Sequence, residues 1–460
     1  MPQNNLLRDT SIYVLVKFFV GILGLYSLPI LNSSLPNRDL ALLGIVWVLV
    51  PLLFRLFSLG TDVGFSIGYL NFNSMRDTFF THSLVPFLLL SLIFSFAYLF
   101  MQFTGSDFFE VNFRLKLLII VYFLLSGILN HFGNYAALSK DVFWNVSLSN
   151  IPFIMTNLTL VIFRNIDSLG DYLFTWCFAA IVLITAYVVN FRNLFSLRLK
   201  GLKSSLSILI NSGISSIPGG IFVFILVGAD RFMLEGKVSI LELAAYVLFY
   251  RITESTILTV ITAFNKSFYP RWLALNHGAN RVEWDSLLIK AALALLSLSI
   301  SLLIIVVPLI NWLMYHFFSD KYIVMNSELT FQILIVNILI VSATSLIGNI
   351  FIQKDKLKST LLPAGISAFL NILLNYLLIP PYGILGASIA SALSYILNFL
   401  LVVGILDLKL VKYFAPSTLA IIALLFLNYL HASSIFICII IMVFSIISLK
   451  KIYNELDTKV

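Results

Sequence analysis

Apolar stretches of bilayer-crossing length recur along the whole chain, and nothing else in the sequence constrains the fold as much. A helix of about 20 apolar residues spans a hydrocarbon core of about 30 Å. Stretches near that length start close to Ser11, Leu40, Phe80, Arg114, Val142 and Gly170. Eight more start close to Leu206, Ser239, Leu287, Glu328, Thr360, Ile384, Tyr413 and Ser433. Within lipid each backbone N–H and C=O must be satisfied inside the spanning segment, which makes runs of this length helical. Composition agrees, since only 11% of the 460 residues are charged, against about 25% in soluble domains. The sequence therefore predicts an all-α polytopic membrane protein with about fourteen transmembrane helices. The first run, Ser11 to Leu31, is too long for a signal-peptide core and lacks a cleavage site after it, so it is read as the first span.

The basic residues orient these spans. With the N-terminus inside, the cytoplasmic connectors and tails hold eighteen Lys and Arg, and the opposite side holds seven: Arg38, Arg114, Lys116, Arg164, Arg231, Lys237 and Lys321. That asymmetry fits an even number of spans with both termini cytoplasmic. The longest cytoplasmic connectors are Asn190 to Ser204 and Asn265 to Asp285. The first follows six spans, so the expected division is residues 1–203, residues 204–406 and a C-terminal pair of helices in 407–460.

Much chemistry is excluded. The net charge of +8 is scattered over short connectors, unlike the concentrated basic surface of a nucleic-acid binder. G-x-x-x-x-G-K-[ST], H-E-x-x-H, G-x-S-x-G and C-x-x-C are all absent, which removes the nucleotide-hydrolysing, metalloprotease, serine-hydrolase and dithiol chemistries they carry. Cys177 and Cys438 lie in separate apolar runs with no ligand-spaced partner, so no metal site or cofactor is expected and both are read as buried small residues. The cytoplasmic acids, Asp62 among them, are scattered rather than clustered for Mg²⁺. A transporter, a channel or a membrane scaffold remains, and an enzyme is not expected.

Two segments are unusual within the apolar background. The seventh span gathers Asn211, Ser212, Gly213, Ser215, Ser216, Pro218, Gly219 and Gly220. Such a helix should kink or unwind, which lipid tolerates only where the exposed backbone meets protein or a wet cavity. Later, Pro380-Pro381-Tyr382-Gly383 reads as a tight external turn. Asn371 and Asn375 lie one turn apart on the helix before it. Small-residue stripes on the helix after it (Gly383, Ala387, Ser391 and Gly386, Ala390, Ser394) allow close helix packing.

Four basic residues fall inside spans: Lys17, Arg55, Arg251 and Lys290. Lys17, Arg55 and Lys290 lie within about two turns of a helix end, where long side chains can snorkel to the headgroups. Arg251 lies roughly 18 Å down its helix from Ser239, with Glu254 on the same face. A charge at that depth costs about 2.5–3.5 kcal/mol on insertion scales. The pair is expected to face a partner helix or an aqueous cavity rather than lipid.

Three stretches resemble a known family. They are "ADRFMLEGKVSILELAAYVLFYRI" (Ala229 to Ile252) after the Gly-rich span, "LNILLNYLLIPPYGILGASIASALSYI" (Leu370 to Ile396) and, more loosely, "LGTDVGFSIGYL" (Leu59 to Leu70). The chain is similar there to the polysaccharide-exporter branch of the MOP superfamily, the Wzx-type flippases of O-antigen and capsule repeat units. The resemblance implies two six-helix lobes in a V, with two extra C-terminal helices, around a cavity lined by the first, second, seventh and eighth spans. It also implies a bacterial inner-membrane flippase that moves an undecaprenyl-pyrophosphate-linked oligosaccharide by alternating access. Partners would be that lipid-linked substrate, membrane lipids and other polysaccharide-assembly membrane proteins. Mapped onto this chain, Arg251, Arg55, Lys17 and Asn211 become the expected headgroup contacts, because guanidinium groups bind phosphate bidentately. Glu254 becomes the candidate coupling site for an H⁺ or Na⁺ gradient. The alternatives are a MATE-like exporter of small organic cations, which would want an anionic cavity, and a membrane polysaccharide polymerase or ligase, which would want a large external loop. No external loop exceeds about fifteen residues.

Overall fold

The computed structural model describes residues 6–69, 75–101, 112–139, 141–163, 166–192, 201–254, 327–353 and 357–405. The ninth span near Leu287, the two C-terminal spans, Lys290 and Cys438 lie outside the described residues. Among the described residues every regular element is helical and none is a strand.

The helices begin close to the apolar boundaries. They are α1 (Leu6–Ser34), α2 (Asn37–Phe57), α3 (Thr61–Gly68), α4 (Arg76–Met101), α5 (Phe113–Leu138), α6 (Val142–Phe163) and α7 (Leu169–Asn190). After the connector come α8 (Leu202–Gly213), α9 (Ser216–Leu234), α10 (Ile240–Thr253), α11 (Ser327–Gln353) and α12 (Leu361–Ile405). Eight helices among the described residues are long and apolar enough to cross a membrane. Rows such as Leu89, Ile93, Phe96 and Phe100 on α4 are exposed, as expected of a surface that meets lipid rather than water.

Two compact units form, Ile22–Arg231 and Met1–Gly21 with Phe232–Val460. The first therefore runs past residue 203, where the sequence pattern closes a lobe, and takes in α8 and nearly all of α9. The cause is backbone contact. A Cβ on Gly213 would collide with the Gly60 carbonyl, and one on Gly64 with the Leu209 carbonyl. Only glycine lets α3 and α8 approach this closely. On α2 and α9, Gly228 likewise meets Val48 side-chain atoms. The unit's interior is aromatic: Phe65, Phe80, Phe132 and Tyr187 are buried together, with Tyr135 and Trp144 packed against them. The Phe80 and Tyr135 rings sit 4.4 Å apart by centroid, where edge and tilted packing adds to area burial.

In the second unit α12 is a hairpin. Its backbone leaves helical geometry at Gly383 (φ 54°, ψ −129°), so the expected Pro-Pro-Tyr-Gly turn is present and glycine supplies the positive φ. The polar residues beside it are structural. Asn375 donates to Asn371 Oδ1 at 3.0 Å and Asn371 to Ser391 Oγ at 3.4 Å, while Asn337 on α11 donates to the Ser388 carbonyl at 3.1 Å. Gly386 lies against the Leu378 carbonyl on the facing limb. The small-residue stripes thus bury the hairpin's inner face, with Ala387, Ala390, Ser391 and Ser394 all inaccessible.

Candidate functional site

The break between α2 and α3 builds the first charged site. Leu59 and Gly60 both take positive φ, 50° and 73°, which turns the chain sharply and brings α3 back beside the end of α2. Arg55, on the last turn of α2, then reaches Asp62 on the first turn of α3 at 2.9 Å. The carboxylate is buried (3% exposed) and the guanidinium side chain 30% exposed. Ser58 donates to the other carboxylate oxygen at 3.0 Å. Thr61 Oγ1 lies 2.6 and 2.7 Å from the carbonyls of Ser58 and Ser83, tying the turn to α4. A Cβ on Gly220 would lie 2.5 Å from Arg55 Cγ, so α9 lays bare backbone along the arginine stem.

The second charged site is simpler. Ser239 caps α10 with a reciprocal capping box to Glu242, an arrangement that fixes the helix start. From Leu243 to Tyr250 every side chain is buried. Arg251 and Glu254 then open to the surface, each 24% exposed, and pair at 3.6 Å one turn apart. That distance is an ion pair without a direct hydrogen bond.

Of the remaining expected contacts, Lys17 is half-buried on α1. Asn211 is exposed on α8, with its amide 3.5 Å from Ser207 Oγ. The seventh span is broken as its composition requires, with a turn at Ile214 and Ser215 between α8 and α9. Asn211 therefore sits one turn before a discontinuity. Arg231 and Lys116, which the sequence pattern assigns to external connectors, are instead buried, and Arg231 Nη1 is 3.5 Å from the Gly44 carbonyl. Cys177 is buried, and no group of three His, Cys, Asp or Glu among the described residues could hold a metal ion.

Sequence reasoning missed Asp62 as the partner of Arg55. The two are seven residues apart, which on a continuous helix is two turns and roughly 10 Å along the axis, beyond the adjacent-turn pairing of i+3 and i+4. The signal that could have found the pair was Gly60 between them, a candidate helix stop.

No protein-family model matches the sequence, and no curated protein does. Solved structures do match the fold. A lipid II flippase MurJ, in an inward closed conformation, aligns with a TM-score of 0.59 at 16% identity, over 97% of this chain and 99% of its own. The MATE multidrug transporter DinF-BH aligns at 0.62 and 16% identity, over 88% of this chain and 96% of its own. A multidrug-resistance MATE family transporter of the MOP superfamily, inward-facing, aligns at 0.57 and 14%, over 89% and 98%. These neighbours are transporters and a flippase. The chain is a multi-pass membrane protein with the fold of the MOP superfamily.

Proposed function

We propose that the chain is a flippase that carries a polyprenyl-pyrophosphate-linked oligosaccharide across the bacterial inner membrane by alternating access. The observation that carries this reading is the match to a lipid II flippase, which covers 97% of this chain where the two multidrug transporters above cover 88% and 89%. The charges favour the same side. Arg251, Arg55 and Lys17 are cations inside apolar helices, and such residues are retained where they meet a charged partner. A pyrophosphate provides one, and Arg55 and Arg251 each carry the planar fork that binds it. An exporter of organic cations would be served poorly by these residues. Asn211 would contact neutral sugar, and Glu254, held to Arg251 by a long ion pair, would release it when protonated or bound to Na⁺. The first and last residues would face the cytoplasm, with two additional C-terminal helices following the second lobe.

The test is deletion of the gene followed by detection of lipid-linked oligosaccharide on the cytoplasmic leaflet. Accumulation is expected. Complementation with Arg251→Ala should restore less than about a tenth of wild-type flux, because a lost phosphate contact of 1.5–3 kcal/mol is roughly a tenfold to hundredfold effect. A deletion strain without accumulation overturns the flippase reading. Full rescue by both Arg251→Ala and Glu254→Gln overturns the site.

A further inference from the structure

A snorkelling Arg55 would reach for the headgroups, and the structure holds it otherwise. Its guanidinium is turned onto the carboxylate of Asp62, with Nη1 2.9 Å from Oδ2. Three supports fix that carboxylate. Ser58 Oγ donates to its other oxygen at 3.0 Å. The neighbouring Thr61 is tied to the carbonyls of Ser58 and Ser83. Asp62 also lies in the first turn of α3, whose N-terminus has no side-chain cap, so the N–H dipoles of that turn favour a negative group. The arginine stem is confined as well, because the α9 backbone at Gly220 closes on Arg55 Cβ, Cγ and Cδ.

The pair is unbalanced in its hydrogen bonding. Both Asp62 oxygens are engaged, and that side chain is 3% exposed. Arg55 gives only Nη1, and among the described residues no acceptor meets Nε or Nη2. Those two nitrogens form the edge of the guanidinium whose N–H groups run parallel, the edge that takes two oxygens of one phosphate. The arginine side chain, unlike the carboxylate, is open to its surroundings at 30% exposure. Stability alone does not account for such a pair, because apolar residues of similar volume hold buried sites as well or better.

We propose that Asp62 is a positioning residue for anion recognition: it fixes Arg55 through Nη1 and leaves the Nε–Nη2 edge set for a phosphate group. A guanidinium oriented before its ligand arrives has little freedom left to lose on binding, and affinity rises accordingly. Asp62 itself does not touch the ligand. Removing its charge has two effects of opposite sign: lost orientation weakens binding, and lost repulsion tightens it. Orientation dominates because the guanidinium separates the two anions. That the phosphate belongs to the pyrophosphate of a lipid carrier rests on the proposed function; the positioning of Arg55 does not.

The test is a double-substitution cycle read by equilibrium binding of undecaprenyl pyrophosphate to the full-length chain in nanodiscs of zwitterionic lipid. Inorganic pyrophosphate is the second probe. Arg55→Lys keeps the charge and loses the edge, so binding should weaken about tenfold, the scale of one charge-assisted hydrogen bond. Asp62→Asn should weaken it by a similar factor. The double variant should bind no more weakly than Arg55→Lys, since Asp62 acts only through the arginine. Effects that multiply make Asp62 a structural residue and overturn the proposal. Tighter binding by Asp62→Asn makes it a competitor and overturns it too. Ser58→Ala, which loosens the carboxylate and keeps its charge, covers the case of an unfolded Asp62→Asn. It should weaken binding about threefold in the wild-type chain and not at all beside Arg55→Lys; equal losses in both overturn the proposal. So does a chain that binds neither anion. If inorganic pyrophosphate binds with this dependence and the lipid does not, the positioning stands and the headgroup role falls. The flippase reading is decided separately, by the deletion strain.

Discussion

Two arginine–carboxylate pairs in this chain look alike by composition and differ in construction. Arg251 and Glu254 sit on one helix, one turn apart, equally exposed and 3.6 Å from each other. Arg55 and Asp62 meet at 2.9 Å across a helix break, with the carboxylate sealed and a serine on its second oxygen. A local pair needs only helical periodicity and can be opened by any competing charge. A pair across a break needs the turn at Gly60, the contact of α3 on α8 and the packing of α9 on the arginine stem. The first is suited to switching; the second, to being held until its surroundings change.

The comparison can be broken most severely at its backbone support. Gly213→Val places side-chain atoms against the Gly60 carbonyl, where overpacking costs about 3 kcal/mol. Thermal unfolding in detergent should show a large loss of stability, and a wild-type melting temperature would mean that α8 does not hold the α2–α3 turn in place. Next in size is Asp62→Asn. Breaking a buried pair costs about 3–5 kcal/mol, and the partial exposure of Arg55 reduces this to about 2 kcal/mol. Glu254→Gln, measured the same way, should cost less than about 1 kcal/mol, while still altering flux in the complementation assay. Equal losses for the two acids would erase the distinction drawn here. The last effect is small and opposite in sign: Gly348→Ala on α11 adds a Cβ that meets nothing within 4 Å, and the better helix propensity of alanine should stabilise by about 0.5–1 kcal/mol. A net destabilisation there would show contacts that the described residues do not contain.

Much of this was legible beforehand, for identifiable reasons. Spanning helices depend on the length of apolar runs, and α5, α6, α7 and α10 start within a residue or so of where those runs begin. The Pro-Pro-Tyr-Gly turn and the broken seventh span were readable because Pro and Gly restrict or release the backbone locally. Arg251–Glu254 was readable because its spacing is helical. Helix α3 was not foreseen, since its eight residues are too short to register as a span. Nor were Asp62 as a partner of Arg55 and the burial of Arg231 and Lys116, because each depends on which distant segment packs alongside.

By itself, then, the amino-acid order determined a multi-pass helical membrane protein, the positions of the described spans and turns, and the Arg251–Glu254 pair at its helical spacing. Those features follow from solvation of the backbone and from local dihedral preference, both of which act over neighbouring residues. The tertiary structure alone decided that α8 and α9 join the first unit, that Asp62 closes on Arg55, and that Gly220 on α9 confines the arginine stem. Each is a contact between segments far apart in sequence, made where glycine backbone or a shared hydroxyl lets two helices meet, and such contacts leave no periodicity in the chain.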